Sequence, residues 1–323
     1  MDLMKIFNKA VTASYRVSQP EQNTLMWQSG AFVSDPSVRN LLSSGAGQVI
    51  IPIINLPSAD IEPNYGNSIK NDIAVPRQIG ASRQTANVAF LNEGFVESSL
   101  QAFLGGVEPN KLVASWLDSF WAKQAQNRAI ATMAGVYNAV REDHAQDFII
   151  SGTKMDINAV IDAEASLSEK LRNGGIVVMH PKKKAELLKQ DALKASKPTQ
   201  DAKDIDTVNG RFIVESTHAT QVGNKYITYF IGLGAFVADS QATPSDMEVE
   251  RTGGSGNGAG HTTLWTRRHM LIHPQGFDFA PSELTGGTKN EAISASWGDL
   301  QNGENWELIT KASDTSIRFL ITD

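Results

Sequence analysis

EPNKLVASWLDSFWAKQAQNRAIATMAGVYNAVRE, residues 108–142, is the longest regular stretch of the chain. Leu112, Trp116 and Phe120 recur at four-residue spacing with Val113 and Leu117 beside them, and Ala125, Ala129, Met133 and Tyr137 continue the stripe. Positions three and four apart share a helix face, so the pattern predicts one amphipathic helix. Pro109 stands where a first helical turn tolerates proline. From about Pro109 to about Asn138 the helix would measure about 45 Å at 1.5 Å per residue, against about 11–12 residues for an ordinary helix. The stretch therefore reads as a spine, with Trp116, Leu117 and Phe120 expected against strands of the same subunit.

The segments upstream offer little to build a core. Residues 1–45 read as a mixed segment with few apolar anchors, an arm that packs on something else rather than a core. VIIPIINL (49–56) is a β-rich run whose Pro52 suits an edge or exposed strand, and RQTANVAFL (83–91) is a second extended run. Between them lies the polar, turn-rich SADIEPNYGNSIKND (58–72). Neither face of this pair of strands is strongly apolar, and an isolated pair is marginal in water. Another surface must cover the ribbon, residues about 49–92, which is expected to have little contact with its own subunit's core and to lie across a neighbour. EGFVESSLQAFLGG (93–106) reads as a short amphipathic helix closed by Gly105 and Gly106.

Beyond Asp143 the pattern alternates between helix and strand. INAVIDAEASLSEKLRNGG predicts a helix ending at Gly174, GIVVMHP a buried strand, and KKKAELLKQDAL a second helix. KASKPTQDAKDIDTVNG reads as a polar loop, followed by strands in GRFIVEST (210–217), KYITYFIGLGAFVAD (225–239, broken by Gly232 and Gly234), MEVERT and TTLWTRRHMLIH. The tail predicts a short helix and a last strand, SIRFLI. His180 to Lys184, the most basic run, reads as a solvated helix face.

The candidate chemical motifs fail on spacing. GGSGNGAGHT (253–262) lacks the lysine and hydroxyl residue that a phosphate loop needs after its last glycine, so it reads as a hairpin connection. His269 and His273 could share a zinc ion only on a helix. Pro274 and the β-favouring residues around them predict a strand, where four residues span about 13 Å at 3.3 Å each. Asp201, Asp204 and Asp206 match no calcium-loop spacing, and Ser43, Ser44 and Asp278 form no nucleophile–base pattern. No catalytic residue, cofactor site or metal site is predicted, and the chain is read as a non-enzyme.

Composition agrees with a folded protein: 323 residues, 41% hydrophobic, and no cysteine to form disulfides or thiolate sites. No apolar run is long enough for a membrane helix, and no signal peptide is read at the start. A net charge of −6 argues against a protein that grips phosphate backbones.

The element order resembles the major capsid proteins of tailed bacteriophages, the Hong Kong 97-type fold. The likeness rests on LGGVEPNKLVASWLDSFWAKQAQNRAIATMAGVY for the spine and GIVVMHPKKKAELLKQ for a strand–helix unit. IGLGAFVADS, EVERT, TRRHMLIHPQGFDF and NWELITK fit the later strands. The resemblance implies an α+β chain: an N-terminal arm (1–45), an extended loop with a short helix (46–105), and a peripheral domain with the spine (106–145). An axial domain (146–244), returning peripheral strands (245–285) and a C-terminal part rejoining the axial domain (286–323) follow. It implies a structural subunit of an icosahedral virion shell, built as pentamers and hexamers around double-stranded DNA without sequence-specific contact. Portal and scaffold or decoration proteins are implied partners, with no membrane, and assembly in the host bacterial cytoplasm. Lys70, Arg77, Arg83 and Glu93 are the expected inter-subunit contacts. An encapsulin-type compartment shell shares the fold and stays open as an alternative, as does an enzyme of unknown class.

Overall fold

The computed structural model of the protein describes residues 25–55, 61–98, 109–152, 154–167, 172, 174–196, 205–219, 221–222, 224–287 and 292–323. In chain order the arm region holds α1 (Leu25–Gln28), β1 (Phe32–Val33) and α2 (Pro36–Ser43), followed by β2 (Gln48–Asn55), β3 (Gly80–Asn87) and β4 (Ala89–Ser98). The spine is α3 (Pro109–Asp143). Then come α4 (Ala145–Phe148), β5 (Ile149–Ser151), α5 (Ile157–Ala165), β6 (Ile176–Met179), α6 (Pro181–Lys189), β7 (Lys194–Ser196), β8 (Ile205–Val208), β9 (Arg211–Glu215), β10 (Gln221–Val222) and β11 (Lys225–Ile231). The long hairpin β12 (Phe236–Thr252) and β13 (His261–Pro274) leads to β14 (Phe277–Phe279), α7 (Trp297–Gln301), β15 (Trp306–Leu308) and β16 (Ile317–Thr322).

The strands form a mixed eight-stranded sheet, ordered β5-β16-β11-β6-β9-β8-β7 with β10 on β11, and a four-stranded sheet, β1-β12-β13-β4. β2–β3 and β14–β15 are separate two-stranded ribbons. The eight-stranded sheet is sandwiched between two apolar layers. On one face Tyr229, Ile227, Phe319 and Val178 join Met133, Val136 and Tyr137 of the spine. On the other, Phe230, Leu320, Val177 and Met179 pack on Val160 of α5 and Leu187 of α6. Alternation along β11 assigns each residue its layer.

The spine runs 35 residues, five beyond the span read from the sequence. Its N-terminal half has one buried face, with Leu117, Trp121 and Ala125 buried. From Arg128 to Tyr137 every residue is buried, so this part is enclosed on all sides. Phe120 is only half-buried, meeting Phe95 and Trp121 edge-on at 5.5 and 5.2 Å. Trp121, unremarked in the sequence, is the deeper anchor: it is 3% exposed and its Nε1 donates to Thr266 Oγ1 at 3.1 Å. The side chain of Trp116 lies outside the described residues.

Close backbone contact fixes the far end of the spine. Trp306 Nε1 donates to Leu300 O at 2.8 Å directly over Gly135. A Cβ at Gly135 would stand 1.9 Å from that oxygen, and one at Gly303 would stand 2.6 Å from the Asn138 carbonyl carbon. The capping box of α7, with Ser296 and Asp299 exchanging hydrogen bonds with each other's backbone N–H, holds this segment in place. Asp299 Oδ2 also accepts from Thr285 N, and these hydrogen bonds outweigh burial to hold its carboxyl below the usual range. Arg128 donates to Ala295 O at 3.0 Å, and burial pulls its guanidinium down to about 10 against the attraction of Asp299.

Several sequence expectations are corrected. The stretch 93–98 is strand, not helix, because β4 pairs with β13 over Ser98↔His261 to Ala89↔Met270; residues 99–106 lie outside the described residues. Residues 25–45 pack on their own subunit: Met26, Ala31, Phe32, Val38 and Leu42 are buried, and Phe32 stacks on Phe236 at 4.9 Å. The 194–210 segment contributes β7 and β8 rather than a loop throughout. The basic run is not simply a solvated face. Lys183 is 2% exposed and reaches Glu186 at 2.6 Å, while Lys184 bonds Asp206 and Glu215 at 2.5 and 2.6 Å. Burial opposes the charge on Lys184, but the two carboxylates outweigh it and raise its pKa.

Candidate inter-subunit interface

The β2–β3 ribbon is antiparallel in the register Gln48↔Asn87 to Asn55↔Gly80. Its base is anchored at home. Val49, Ala86 and Val88 are buried in a cluster with Val38 and Leu42 of α2, Val237 of β12 and Leu271 of β13. α2 is set for this contact by its N-cap, Asp35, which accepts from Ser37 N at 2.8 Å, and by Pro36 in the first turn. Gly276 N donates to Gln84 Oε1 at 3.0 Å, and Thr85 N donates to Asp278 Oδ1. The expectation that the ribbon has little contact with its own core is therefore corrected at its base.

The distal part is different. Residues 61–79 are all exposed. Ile50, Ile54, Ile61, Tyr65, Ile69, Ile73, Val75 and Ile79 are between 52% and 82% exposed. They make up half of the exposed large apolar side chains among the described residues, within about a tenth of the chain. Contiguous apolar exposure of this kind marks an interaction surface. Polar contacts brace the segment: Asn64 Nδ2 donates to Val75 O at 3.2 Å, Tyr65 Oη to Glu62 at 2.9 Å, and Ile69 N to Asn67 Oδ1 at 2.9 Å.

Of the four charged residues singled out, three lie on this ribbon. Lys70 sits at the distal turn, Arg77 donates to the Glu62 carbonyl, and Arg83 faces Pro52 across the pair; all are exposed. Glu93 lies apart on β4, opposite Thr266, because the second extended run breaks at Val88 and joins the other sheet. Sequence reading missed the apolar row between them. The signal was available as isoleucines and valines recurring within a stretch otherwise read as polar and turn-rich.

The rejected motifs resolve as structure. His269 and His273 lie on β13. His269 meets the Phe90 ring edge-on at 4.6 Å, whereas His273 is buried with Nε2 2.8 Å from Phe277 O. Burial pulls His273 down to about 4, with the Phe277 carbonyl and Asp278 opposing. Among the described residues no group of three or more His, Asp or Glu could hold a metal ion. Residues 253–260 join β12 and β13 as a hairpin. Asp206 pairs with Lys184, while Asp201 and Asp204 lie outside the described residues.

No family model matches the chain. A curated relative, the major capsid protein of Bacillus phage SPP1, is 26% identical over 306 residues, covering 91% of this chain and 90% of that protein. In fold, the capsid of Ralstonia phage GP4 superposes with a TM-score of 0.52 over 71% of this chain and 80% of that one, at 9% identity. The acid-stable capsid of Helicobacter pylori bacteriophage KHP30 gives 0.50 over 90% and 87%, also at 9% identity. Near-full-length similarity to a capsid protein thus coincides with a capsid fold and with the order of arm, ribbon, spine and mixed sheet. Over most of its length the chain is similar to a phage major capsid protein, and its fold is that of phage capsid proteins of the Hong Kong 97 type.

Proposed function

We propose that the distal ribbon, residues 61–79 with the outer parts of β2 and β3, lies across an adjacent copy of the chain and fastens the shell. The carrying observation is the exposed apolar row from Ile50 to Ile79. Full burial of one such side chain contributes about 1.5–3 kcal/mol, which offsets the ordering cost of its own residue, roughly 1–2 kcal/mol. Lys70, Arg77, Arg83 and, from β4, Glu93 then meet complementary charges across the boundary, setting register more than strength. The shell so built consists of pentamers and hexamers around double-stranded DNA, with a portal and scaffold or decoration proteins as further partners, and it forms in the host bacterial cytoplasm. A net charge of −6 suits a container that contacts DNA without holding it.

Deleting residues 60–75 tests this reading. The expected outcome is a folded subunit, since the buried clusters lie elsewhere, that forms no closed shells by electron microscopy. Normal shells from the deletion would refute it. The same micrographs of the intact protein separate the encapsulin-type alternative, which would enclose enzyme cargo instead of nucleic acid.

A further inference from the structure

We propose that Asn257 in the β12–β13 hairpin is a site of spontaneous deamidation, and that the fold confines the reaction to it among the described Asn–Gly pairs. The chain contains Asn–Gly at residues 173, 209, 257 and 302, and the last three are described. In the reaction the backbone nitrogen of the following glycine attacks the asparagine Cγ and gives up its proton. The side-chain nitrogen leaves as ammonia, and a five-membered succinimide closes. Water then opens either carbonyl, yielding aspartate or isoaspartate. Glycine favours the step because no side chain blocks the approach, but the attacking amide and the leaving amide must both be free to move.

Among the described Asn–Gly pairs, only Asn257 meets that condition. Asn257 and Gly258 are exposed, and neither the Gly258 N–H nor the Asn257 side chain has a hydrogen-bond partner among the described residues. The hairpin bonds that are present, Ser255 N to Thr252 O at 3.4 Å, Ala259 N to Gly256 O at 3.2 Å and Gly260 N to Ser255 O at 2.9 Å, leave the Asn257–Gly258 peptide unit untied. Both residues have positive φ, 54° and 90°, and nothing lies within 4 Å of a Cβ placed on Gly258.

The other two sites are held. Asn209 and Gly210, with φ of 47° and 82°, close the two-residue turn between β8 and β9. There the Asn209 Nδ2 leaving group donates to the Glu164 carboxylate, which is itself bound by Arg211 at 2.9 Å. Asn302 Oδ1 accepts from Glu304 N at 3.2 Å, and Gly303 is pressed against the backbone of Asn138 and Ala139. Moving Gly303 N onto Asn302 Cγ would require the end of α7 to lift from the spine. Reaction at these sites must wait for local opening, which the hairpin does not need.

The product keeps the turn when it is aspartate, since Asp tolerates the left-handed region nearly as Asn does. Isoaspartate adds a methylene to the hairpin backbone. Each event adds one negative charge per subunit at the hairpin tip.

The test is ageing of the purified full-length protein in neutral to mildly alkaline buffer, followed by tryptic mapping. Cleavage after Arg251 and Arg267 isolates Asn257 on one peptide. Conversion at Asn257 is expected to run at least about tenfold ahead of Asn209 and Asn302, with both aspartate and isoaspartate peptides present. The lead should shrink when the protein ages in denaturant, and the acidic species from this peptide should vanish in Asn257→Gln. Equal rates at the three sites in the folded protein, or no conversion at Asn257 while the free peptide converts, would overturn the proposal.

Discussion

At the residue scale, His273 links the stability of the subunit to pH. Its folded pKa of about 4 lies below the ordinary value of 6.5 because burial disfavours the imidazolium. The unfolded chain therefore takes up a proton that the folded chain refuses. The stabilisation is complete above pH 6.5 and is lost as pH falls from there towards 4, amounting at most to about 3 kcal/mol. Urea midpoints measured between pH 7 and 5 should fall for the parent and stay flatter for His273→Gln, which keeps a donor for Phe277 O and cannot titrate. Trp121 is the second test at this scale. Trp121→Ala should cost about 3–5 kcal/mol. Trp121→Phe should cost about 1–3 kcal/mol, because Thr266 Oγ1, fully buried, loses its donor. Equal urea midpoints for Trp121→Phe and the parent would show that this hydrogen bond contributes nothing.

At the scale of elements, the spine was legible and its packing only partly so. Four-residue spacing located the helix, and Pro109 marked its start. The same spacing could not rank Phe120 against Trp121, because the second half of the helix is enclosed and has no polar face to orient the stripe. β4 shows the opposite failure. Phe95 and its neighbours look amphipathic on either period, and the deciding contact is long-range: the Trp265 indole lies over Gly94, where a Cβ would stand 2.6 Å from the ring. No local pattern announces a glycine reserved for a ring on another strand. Gly135 is the sharper case. Alanine is favoured over glycine inside a helix by about 1 kcal/mol, so propensity alone predicts that Gly135→Ala stabilises. Its Cβ would collide with Leu300 O and Trp306 Nε1, both fixed by their own bond. We expect a net loss of about 3 kcal/mol or more in urea denaturation; an unchanged or raised midpoint would mean that the C-terminal segment yields freely.

At the scale of the whole molecule, the buried clusters end where the ribbon leaves the body. Nearly all that the described subunit buries lies around the spine, the two sheets and α2; what it leaves exposed and apolar is concentrated in residues 50–79. The ribbon sequence reads as a pair of strands without a core, which matches the exposed outer ribbon only. The anchoring of the ribbon base was not legible there, because Val49, Ala86 and Val88 meet residues from α2, β12 and β13 that are remote in the chain. On the proposed reading, neighbouring copies finish such a subunit. The direct measurement is a cryo-electron-microscopic reconstruction of assembled particles, followed by comparison of exposure at Ile69 and Ile73. These side chains are 65% and 82% exposed in the single subunit. The account predicts that both become largely buried against an adjacent copy. Particles in which residues 61–79 still face solvent would contradict it.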